Sequence, residues 1–461
     1  QTCALPIFYT ATKLTCGTLV KAVNAHLPAD VPSSQIGPGV RGFWRALPRE
    51  GRFLLSTVAL QHLGRGMTLP FTVIYLHEVR DFSLETSGTL MGLMAVIAAV
   101  YGPIAGTFVD RVGARLVVMS GSILASIGTV LLAFTTTLPM ALAASLFLGL
   151  AHGTGWSASN SLISSIVKGP LRQRYFGVNF ALLNLGIGLG GVLAGVVVDV
   201  DRPVTFEVLF LLDALLVLIP VMWLLGPLRH VHGRATHDDS LSPRSYAEVL
   251  RIPGFRWILA LTAITSTVGY GQMEAGIPAF ARTVSEVSTE AVGFLFAANT
   301  VVIVLLQFAV LHRIEGHRRT RVMMLLLAIW ALSWALLGLS GLLPGTITAA
   351  ILVVGFGAVF GLGETLLQPS IPAMVNDSAP DHLRGRMNAA SSTSFMVGAV
   401  VGPVLAGQLL GKGQPGAFVG LMLLGLAVSA WLLTRIEGIV SPEVNGVPTS
   451  APQASRDSIP H

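Results

Sequence analysis

Six ionisable side chains lie inside long apolar stretches of the sequence: His62, Arg65, His152, Asp213, Glu274 and Glu364. A charge inside a bilayer costs at least about 2–3 kcal/mol on insertion scales, so such residues usually face a cavity. A buried carboxylate can exchange protons near neutral pH or attract a cation, and an arginine can hold an anion. The residue types therefore predict a pathway for ions or polar solutes rather than a catalytic site.

Arg65 and Glu274 have similar surroundings in the sequence. Arg65 lies midway along an apolar stretch, in HLGRGMTLP, and Glu274 lies well into another, in GYGQMEAGIP. Both have flanking glycines and a downstream proline. Two interpretations of Glu274 remain open: a site for a proton or a cationic substrate, or a structural ion pair with Arg65 or another helix. Arg65 can equally hold an anionic substrate.

Three further residues are candidates for the same cavity. Glu364, in GLGETLLQP, and His152 occupy equivalent positions of the internal repeat described below. A hydrogen-bonded contact between helices is the alternative for Glu364. Asp213 lies about two turns from the outer end of its stretch, where it can also reach interfacial water. We predict that His152, Asp213 and Glu364 line a central cavity together with Arg65 and Glu274.

A glycine-rich stretch, NLGIGLGGVLAG, carries the spacing G-x-G-x-x-G at Gly186, Gly188 and Gly191. In a dinucleotide site this motif follows a strand, opens a helix and precedes an acidic residue by about 20 positions. Here it lies inside residues 175–198, which contain no charge and belong to no βαβ unit. Small residues in such a segment are typical of close packing between membrane helices.

The composition is that of a polytopic membrane protein. The 461-residue chain is 52% hydrophobic and only 11% charged, against about 25% charged in soluble proteins. A spanning helix needs about 20 apolar residues, and we predict an all-α integral membrane protein with twelve transmembrane helices. The spans are numbered one to twelve: 53–76, 87–109, 115–134, 138–160, 175–198, 206–225, 257–280, 291–311, 322–341, 346–367, 387–411 and 416–434.

The positive charges support this count. With both termini inside, four of the 29 Lys and Arg residues lie in outer loops and one, Arg65, lies in a span, which leaves 24 inside. Cytoplasmic segments carry such an excess. The predicted domains are a cytoplasmic segment (1–52), two six-helix bundles (53–225 and 257–435), a cytoplasmic linker (226–256) and a polar, disordered tail (436–461).

The N-terminal segment and the linker offer no site for a cofactor. Residues 1–7, QTCALPI, resemble a translated sequencing adapter and are excluded from fold reasoning, the alternative being a truncated leader. Cys3 and Cys16 are the two cysteines and suggest neither a disulfide framework nor a metal site. His230, His232 and His237 in the linker can bind metal, but a solvated histidine-rich linker is favoured. We predict no metal and no cofactor.

The two bundles are related by an internal repeat. Shifting residues 171–195 by 212 positions overlays them on 383–407. LRQR then meets LRGR, Gly186 and Gly190 meet Gly398 and Gly402, and VLAG meets VLAG. Duplicated halves of this kind are typical of transporters.

A short loop after span two, GTFVDRVGAR, resembles the signature G-x-L-x-D-R-x-G-R-R of the major facilitator superfamily. The matching residues are Gly106, Asp110, Arg111, Gly113 and Arg115, with Phe108 and Ala114 as departures. Gly113 permits a turn at positive φ. The resemblance implies that Asp110 meets the inner end of span eleven, near Arg386, when the transporter is open to the outside.

Span five resembles the antiporter motif G-x8-G-x3-G-P-x2-G-G, which the family's drug:proton antiporters carry. The residues are Gly177, Gly186, Gly190, Gly191, Ala194 and Gly195, with Gly191 in place of the proline and Ala194 in place of one glycine. The repeat counterparts in span eleven are Gly398, Gly402, Pro403 and Gly407. Small-residue packing is compatible with the same pattern. Span four lacks the arginine that drug antiporters often carry there.

The resemblance implies a secondary transporter that works by alternating access, most simply a proton-coupled exporter of small molecules. Proton-coupled uptake of an organic anion or a sugar is the alternative, and a transporter-like sensor or lipid-handling protein is a third. It further implies a monomer in a bacterial inner membrane, in contact with lipids, with no enzymatic activity and no nucleic-acid partner.

Overall fold

The computed structural model describes residues 39–231, 244–314, 316–380 and 383–447. Within these ranges, all regular secondary structure is helical. The N-terminal half comprises α1 Gly39–Ala46, α2 Arg49–Ser56, α3 Val58–Thr68, α4 Thr72–Ile74, a π-helix Tyr75–Val79, α5 Leu84–Val112, α6 Ala114–Ala133, α7 Leu138–Ile166, α8 Gly169–Val197, α9 Pro203–Leu216 and α10 Ile219–Leu225. The C-terminal half comprises α11 Arg244–Arg251, α12 Phe255–Val268, α13 Tyr270–Met273, α14 Gly276–Thr283, α15 Thr289–Ile314, α16 Arg319–Ser340, α17 Ile347–Asp377, α18 Arg384–Gly411 and α19 Pro415–Glu437.

Ten helices in the described residues are long and apolar enough to cross a membrane. They correspond to predicted spans two to six and eight to twelve, with α9 and α10 together forming one of them. The segments predicted as spans one and seven are divided into shorter helices. The chain is therefore a multi-pass membrane protein, and the count of twelve stays a prediction.

Prolines explain where these two segments break. A proline inside a helix lacks an N–H and collides with the carbonyl four residues earlier. Pro70 follows the end of α3 and would meet the carbonyl of Gly66, next to Arg65. Pro278 would meet the carbonyl of Glu274, which lies between α13 and α14. Each break therefore lies at or beside one of the two charged candidates.

The helix contacts of the two halves correspond. In the N-terminal half, α3 packs on α8, α5 on α7, and α6 on both α7 and α9. The equivalent pairs in the C-terminal half are α12 with α18, α15 with α17, and α16 with α17 and α19. The two halves meet chiefly through α5 with α18 and α8 with α15. This arrangement is the one an internal duplication produces when the copies are related by a two-fold axis.

The glycines of the repeat explain how these helices approach. Gly186 and Gly190 of α8 face the backbone of α3, where a Cβ atom would collide with main-chain atoms. Their counterparts, Gly398 and Gly402 of α18, face α12 and α13 in the same way. The glycine-rich stretch thus sets the distance between packed helices.

A second set of glycines lies between the halves. Gly195 of α8 packs on Gly293 of α15, and Gly407 of α18 packs on Gly88 of α5. These contacts lie near the C-terminal ends of α8 and α18, which the charge distribution predicts to be the outer end of the molecule. Gly191 packs beside Phe296, and Ala194 is fully buried.

The linker region is only partly described. His230 pairs with Glu50, with 3.1 Å between Nε2 and Oε1. His232 and His237 lie outside the described residues, as do the N-terminal residues 1–38. A short helix, α11, lies near the end of the predicted linker.

Candidate transport cavity

Four of the five predicted cavity residues line one cavity: Arg65, His152, Asp213 and Glu274. Apart from Glu274, every residue of the lining belongs to the N-terminal half. The apolar part of the wall includes Met91, Met94, Leu148 and Phe210. The cavity has a volume of about 20 Å³, which is room for about one water molecule and far less than a drug-sized ligand needs.

Arg65 and Glu274 form an ion pair across the two halves. Arg65 Nη2 donates to Glu274 Oε1 at 2.6 Å, and the side chains are 32% and 41% exposed. The pair joins the end of α3 to the break between α13 and α14. In membrane transporters, discontinuous helices of this kind place polar groups near the membrane midplane.

Asp213 and His152 surround this pair from the N-terminal half. Asp213 is 8% exposed and accepts a hydrogen bond from Thr68, with 3.0 Å between Oγ1 and Oδ2. His152 lies on α7, within electrostatic reach of both Arg65 and Glu274. The charged wall therefore contains two carboxylates, one guanidinium and one imidazole.

Glu364 lies apart from this cavity. It is 7% exposed on α17 and accepts a hydrogen bond from Asn299 on α15, with 2.5 Å between Nδ2 and Oε2. The Tyr270 side chain lies beside the same carboxylate. Its repeat counterpart His152 instead faces the cavity. The two equivalent positions have therefore acquired different surroundings, and Glu364 is held within its own half.

A second ion pair joins the halves near their predicted outer end. Arg282 at the end of α14 binds both carboxylate oxygens of Glu78, at 2.9 Å from Nε and 2.5 Å from Nη2. Neither residue is among the predicted cavity residues, because both lie beyond the ends of predicted spans one and seven. Their opposite charges at equivalent ends of the two broken segments could have identified them as a pair.

A π-helix presents Glu78 to this contact. Two residues on, Arg80 binds Glu207 of α9 at 2.6 Å, the Tyr75 hydroxyl at 2.7 Å and the Ala133 carbonyl at 3.1 Å. Arg80 thus anchors the turn to its own half, while Glu78 reaches the other. A π-helical turn often marks a functional position in a helix.

The loop between α5 and α6 matches one expectation directly. Gly113 has φ 92°, a conformation that favours glycine. Arg115 Nε donates to the carbonyl of Leu224 at 3.1 Å and so holds the end of α10. Asp110 and Arg111 are exposed at the end of α5, and Arg386 is buried near the start of α18. The role of Asp110 as an inner-gate residue stays a prediction.

The inner parts of α5 and α8 differ from their outer parts. Among the described residues, no atom outside its own helix lies within 4 Å of a Cβ atom placed on Gly106 or Gly177. The halves are thus in backbone contact at the predicted outer end, and neither Gly106 nor Gly177 takes part in such a contact.

The fold and cavity define a class of membrane transport proteins with two related helical halves and polar residues between them. The profile of the Major Facilitator Superfamily matches residues 54–361 and 317–458. The chain therefore belongs to the major facilitator superfamily.

Comparisons with individual proteins support the same class. The chain is 24% identical over 360 residues to the tetracycline resistance protein, class H, of Pasteurella multocida, covering 76% of this chain and 86% of the relative. It is 22% identical over 362 residues to the quinolone resistance protein NorA of Staphylococcus aureus (strain MRSA252), covering 77% and 88%. The solved structure of nucleoside transporter NupG shares the fold, with a TM-score of 0.66 at 14% identity over 85% of this chain and 99% of that one.

Proposed function

We propose that this protein is a proton-coupled exporter of small amphipathic molecules, working by alternating access between the two membrane faces. The observation that carries the proposal is the Arg65–Glu274 ion pair, which joins the two halves at the cavity. Protonating Glu274 removes its charge and weakens the pair. The protonation state is then coupled to the separation of the halves, as proton-driven transport requires.

The direction of transport draws support from the relatives. Two of them are named for resistance to tetracycline and to quinolones, and resistance fits export of the compound. The antiporter-type glycines of α8 agree with that branch. The wall of the cavity is mostly apolar with a few charged groups, which suits an amphipathic solute once the cavity widens.

The test is accumulation of ethidium and a small drug panel in everted membrane vesicles, with and without an uncoupler. Wild type should show uncoupler-sensitive transport, and Glu274→Gln should lose it while keeping substrate exchange, because exchange needs no net proton movement. Glu286→Gln is the matched control, since it removes an exposed carboxylate remote from the cavity. Loss of both transport and exchange in Glu274→Gln, with normal amounts of folded protein, would mean a purely structural pair.

The double variant Arg65→Gln/Glu274→Gln separates the two interpretations further. A structural ion pair replaced by two neutral amides should recover coupled transport, because no unpaired charge is left in the membrane. If Glu274 is the proton site, transport by the double variant should stay uncoupled from the proton gradient. Recovery of uncoupler-sensitive efflux in the double variant would therefore contradict the proposal.

Uptake of an organic anion is the second candidate, because Arg65 lines the cavity and a third of its side chain is exposed. It would show as accumulation of an anionic metabolite in right-side-out vesicles, lost in Arg65→Gln, with no transport of cationic dyes in either direction. That result would replace the export proposal.

A further inference from the structure

Asp213 is a buried carboxylate that sits directly beside the Arg65 segment. One of its oxygens accepts the Thr68 hydrogen bond. The other, Oδ1, lies against the backbone of α3, only 2.5 Å from where a Cβ atom on Gly64 would be. The residue after Gly64 is Arg65. The absence of a side chain at Gly64 therefore lets α3 and α9 meet next to the residue that carries the guanidinium.

Several titratable groups near Asp213 are close to the same guanidinium, that of Arg65. Arg65 acts electrostatically on Asp213, His62 and His152, and Glu274 acts on His152. Two carboxylates, Asp213 and Glu274, thus line the same cavity as one guanidinium. In the described part of the chain, Asp213 forms no ion pair within 4.0 Å, and Arg65 is bound to Glu274. A carboxylate buried without a paired cation is costly, so Asp213 is a ready partner if Arg65 is released.

The halves to which these groups belong decide what happens when the molecule changes state. Arg65 and Asp213 lie on α3 and α9 of the N-terminal half, and these helices pack on each other. Glu274 lies in the C-terminal half. When the halves separate around the cavity, Glu274 moves away from Arg65 and Asp213 stays.

We propose that Asp213 is a positioning residue that receives the Arg65 guanidinium when Glu274 leaves, so that Arg65 exchanges carboxylates in each transport cycle. This inference rests on the proposed alternating access and on the Arg65–Glu274 pair. The exchange keeps the guanidinium paired in both states. Asp213 thereby stabilises the state in which the outer ends of the halves are apart.

The test measures the opening of the outer end without measuring transport. Cys3 and Cys16 are replaced by serine, and Thr289→Cys becomes the reporter. Thr289 is 8% exposed where α15 meets α8 at the predicted outer end. The rate at which a membrane-impermeant maleimide alkylates the reporter in intact cells then follows the outward-open population. Reporter labelling in denatured protein gives the total.

A double-mutant cycle isolates the role of Asp213. With Glu274 present, Asp213→Asn should slow labelling about tenfold, a typical size for coupling between sites, because only the open state loses a partner for Arg65. With Glu274→Gln, Arg65 uses Asp213 in both states, so labelling should start faster than in wild type and Asp213→Asn should change it less than about twofold. Thr68→Val is the matched control, because it removes the hydrogen bond to Asp213 and keeps the charge.

The outcomes distinguish a failure of the carboxylate exchange from a failure of the proposed function. If Asp213→Asn slows labelling equally in both backgrounds, or if Thr68→Val reproduces it, Asp213 is a structural hydrogen-bond acceptor and the exchange is wrong. If Glu274→Gln alone leaves labelling unchanged, the Arg65–Glu274 pair does not control the halves, and the proposed function fails first. The exchange is supported if Asp213→Asn slows labelling when Glu274 is present but not when it is replaced in Glu274→Gln.

Discussion

The two ends of the interface between the halves use the same helices in different ways. Near the predicted outer end, α5 packs on α18 through Gly88 and Gly407, and α8 packs on α15 through Gly195 and Gly293. Further along α5 and α8, Gly106 and Gly177 face open space. One end is therefore closed by backbone contact, and these two glycines further along the same helices take no part in such a contact.

The difference shows that backbone contacts and ion pairs have separate roles at the interface between the halves. Glycine contacts give close packing but cannot respond to a proton or a substrate. The ion pairs Glu78–Arg282 and Arg65–Glu274 also cross between the halves, and a charge change can weaken them. A reversible closure needs both, since packing sets the geometry of the closed state and the ion pairs set its free energy.

The largest expected effect comes from placing a methyl group in the outer contact. Gly88→Ala would push a Cβ atom against the Pro403 carbonyl and within 3.0 Å of the Gly407 Cα. Overpacking costs about 1–3 kcal/mol, so labelling of the Thr289→Cys reporter should rise about tenfold or more. Gly106→Ala on the same helix is the control and should not raise it. Equal labelling in the two variants would show that the outer end is not closed by this contact.

A smaller rise is expected from breaking the outer ion pair. Arg282→Gln should increase reporter labelling about fivefold, since a bidentate, mostly buried pair contributes about 1 kcal/mol. The charge-reversed double variant Glu78→Arg/Arg282→Glu should bring the rate back toward wild type. Glu207→Gln is the control, because it breaks the Arg80 pair within one half and should leave labelling within about twofold.

A change in the opposite direction is expected from the inner end. If Asp110 helps to close the inner gate in the outward-open state, Asp110→Asn should shift the population inward and lower reporter labelling about threefold, a typical surface-charge effect below 1 kcal/mol. Asp377→Asn removes a carboxylate that binds Arg319 within the C-terminal half at 2.6 Å, and should have no such effect. A rise in labelling with Asp110→Asn would contradict the gate assignment.

The smallest effect is expected at Glu364. Glu364→Gln keeps a partner for the Asn299 side chain in the same half, so it should change reporter labelling less than about twofold. Glu274→Gln, which acts between the halves, is the comparison. If the two variants shifted labelling equally, Glu364 would have to be coupled to the separation of the halves, and the distinction between contacts within and between halves would fail at this residue.

Much of the molecule was predictable from local sequence because membrane helices are recognisable by their length and apolarity. The apolar runs predicted the ten long helices, and Gly113 adopted the positive φ that its loop requires. The prolines downstream of Arg65 and Glu274 hinted at the breaks that place both residues. The breaks themselves were missed, because a broken span and an intact one have nearly the same hydropathy.

The sequence by itself determined the membrane class, the internal repeat and the identity of the intramembrane charges, since each depends on composition and spacing along the chain. Only the tertiary structure decided which charges meet. Glu274 pairs with Arg65, more than 200 positions away, at 2.6 Å, while Glu364 bonds Asn299 inside its own half. Glu78 and Arg282 close the outer end from beyond the predicted spans. Partners across a bundle depend on helix rotation and on how the halves dock, and apolar periodicity records neither.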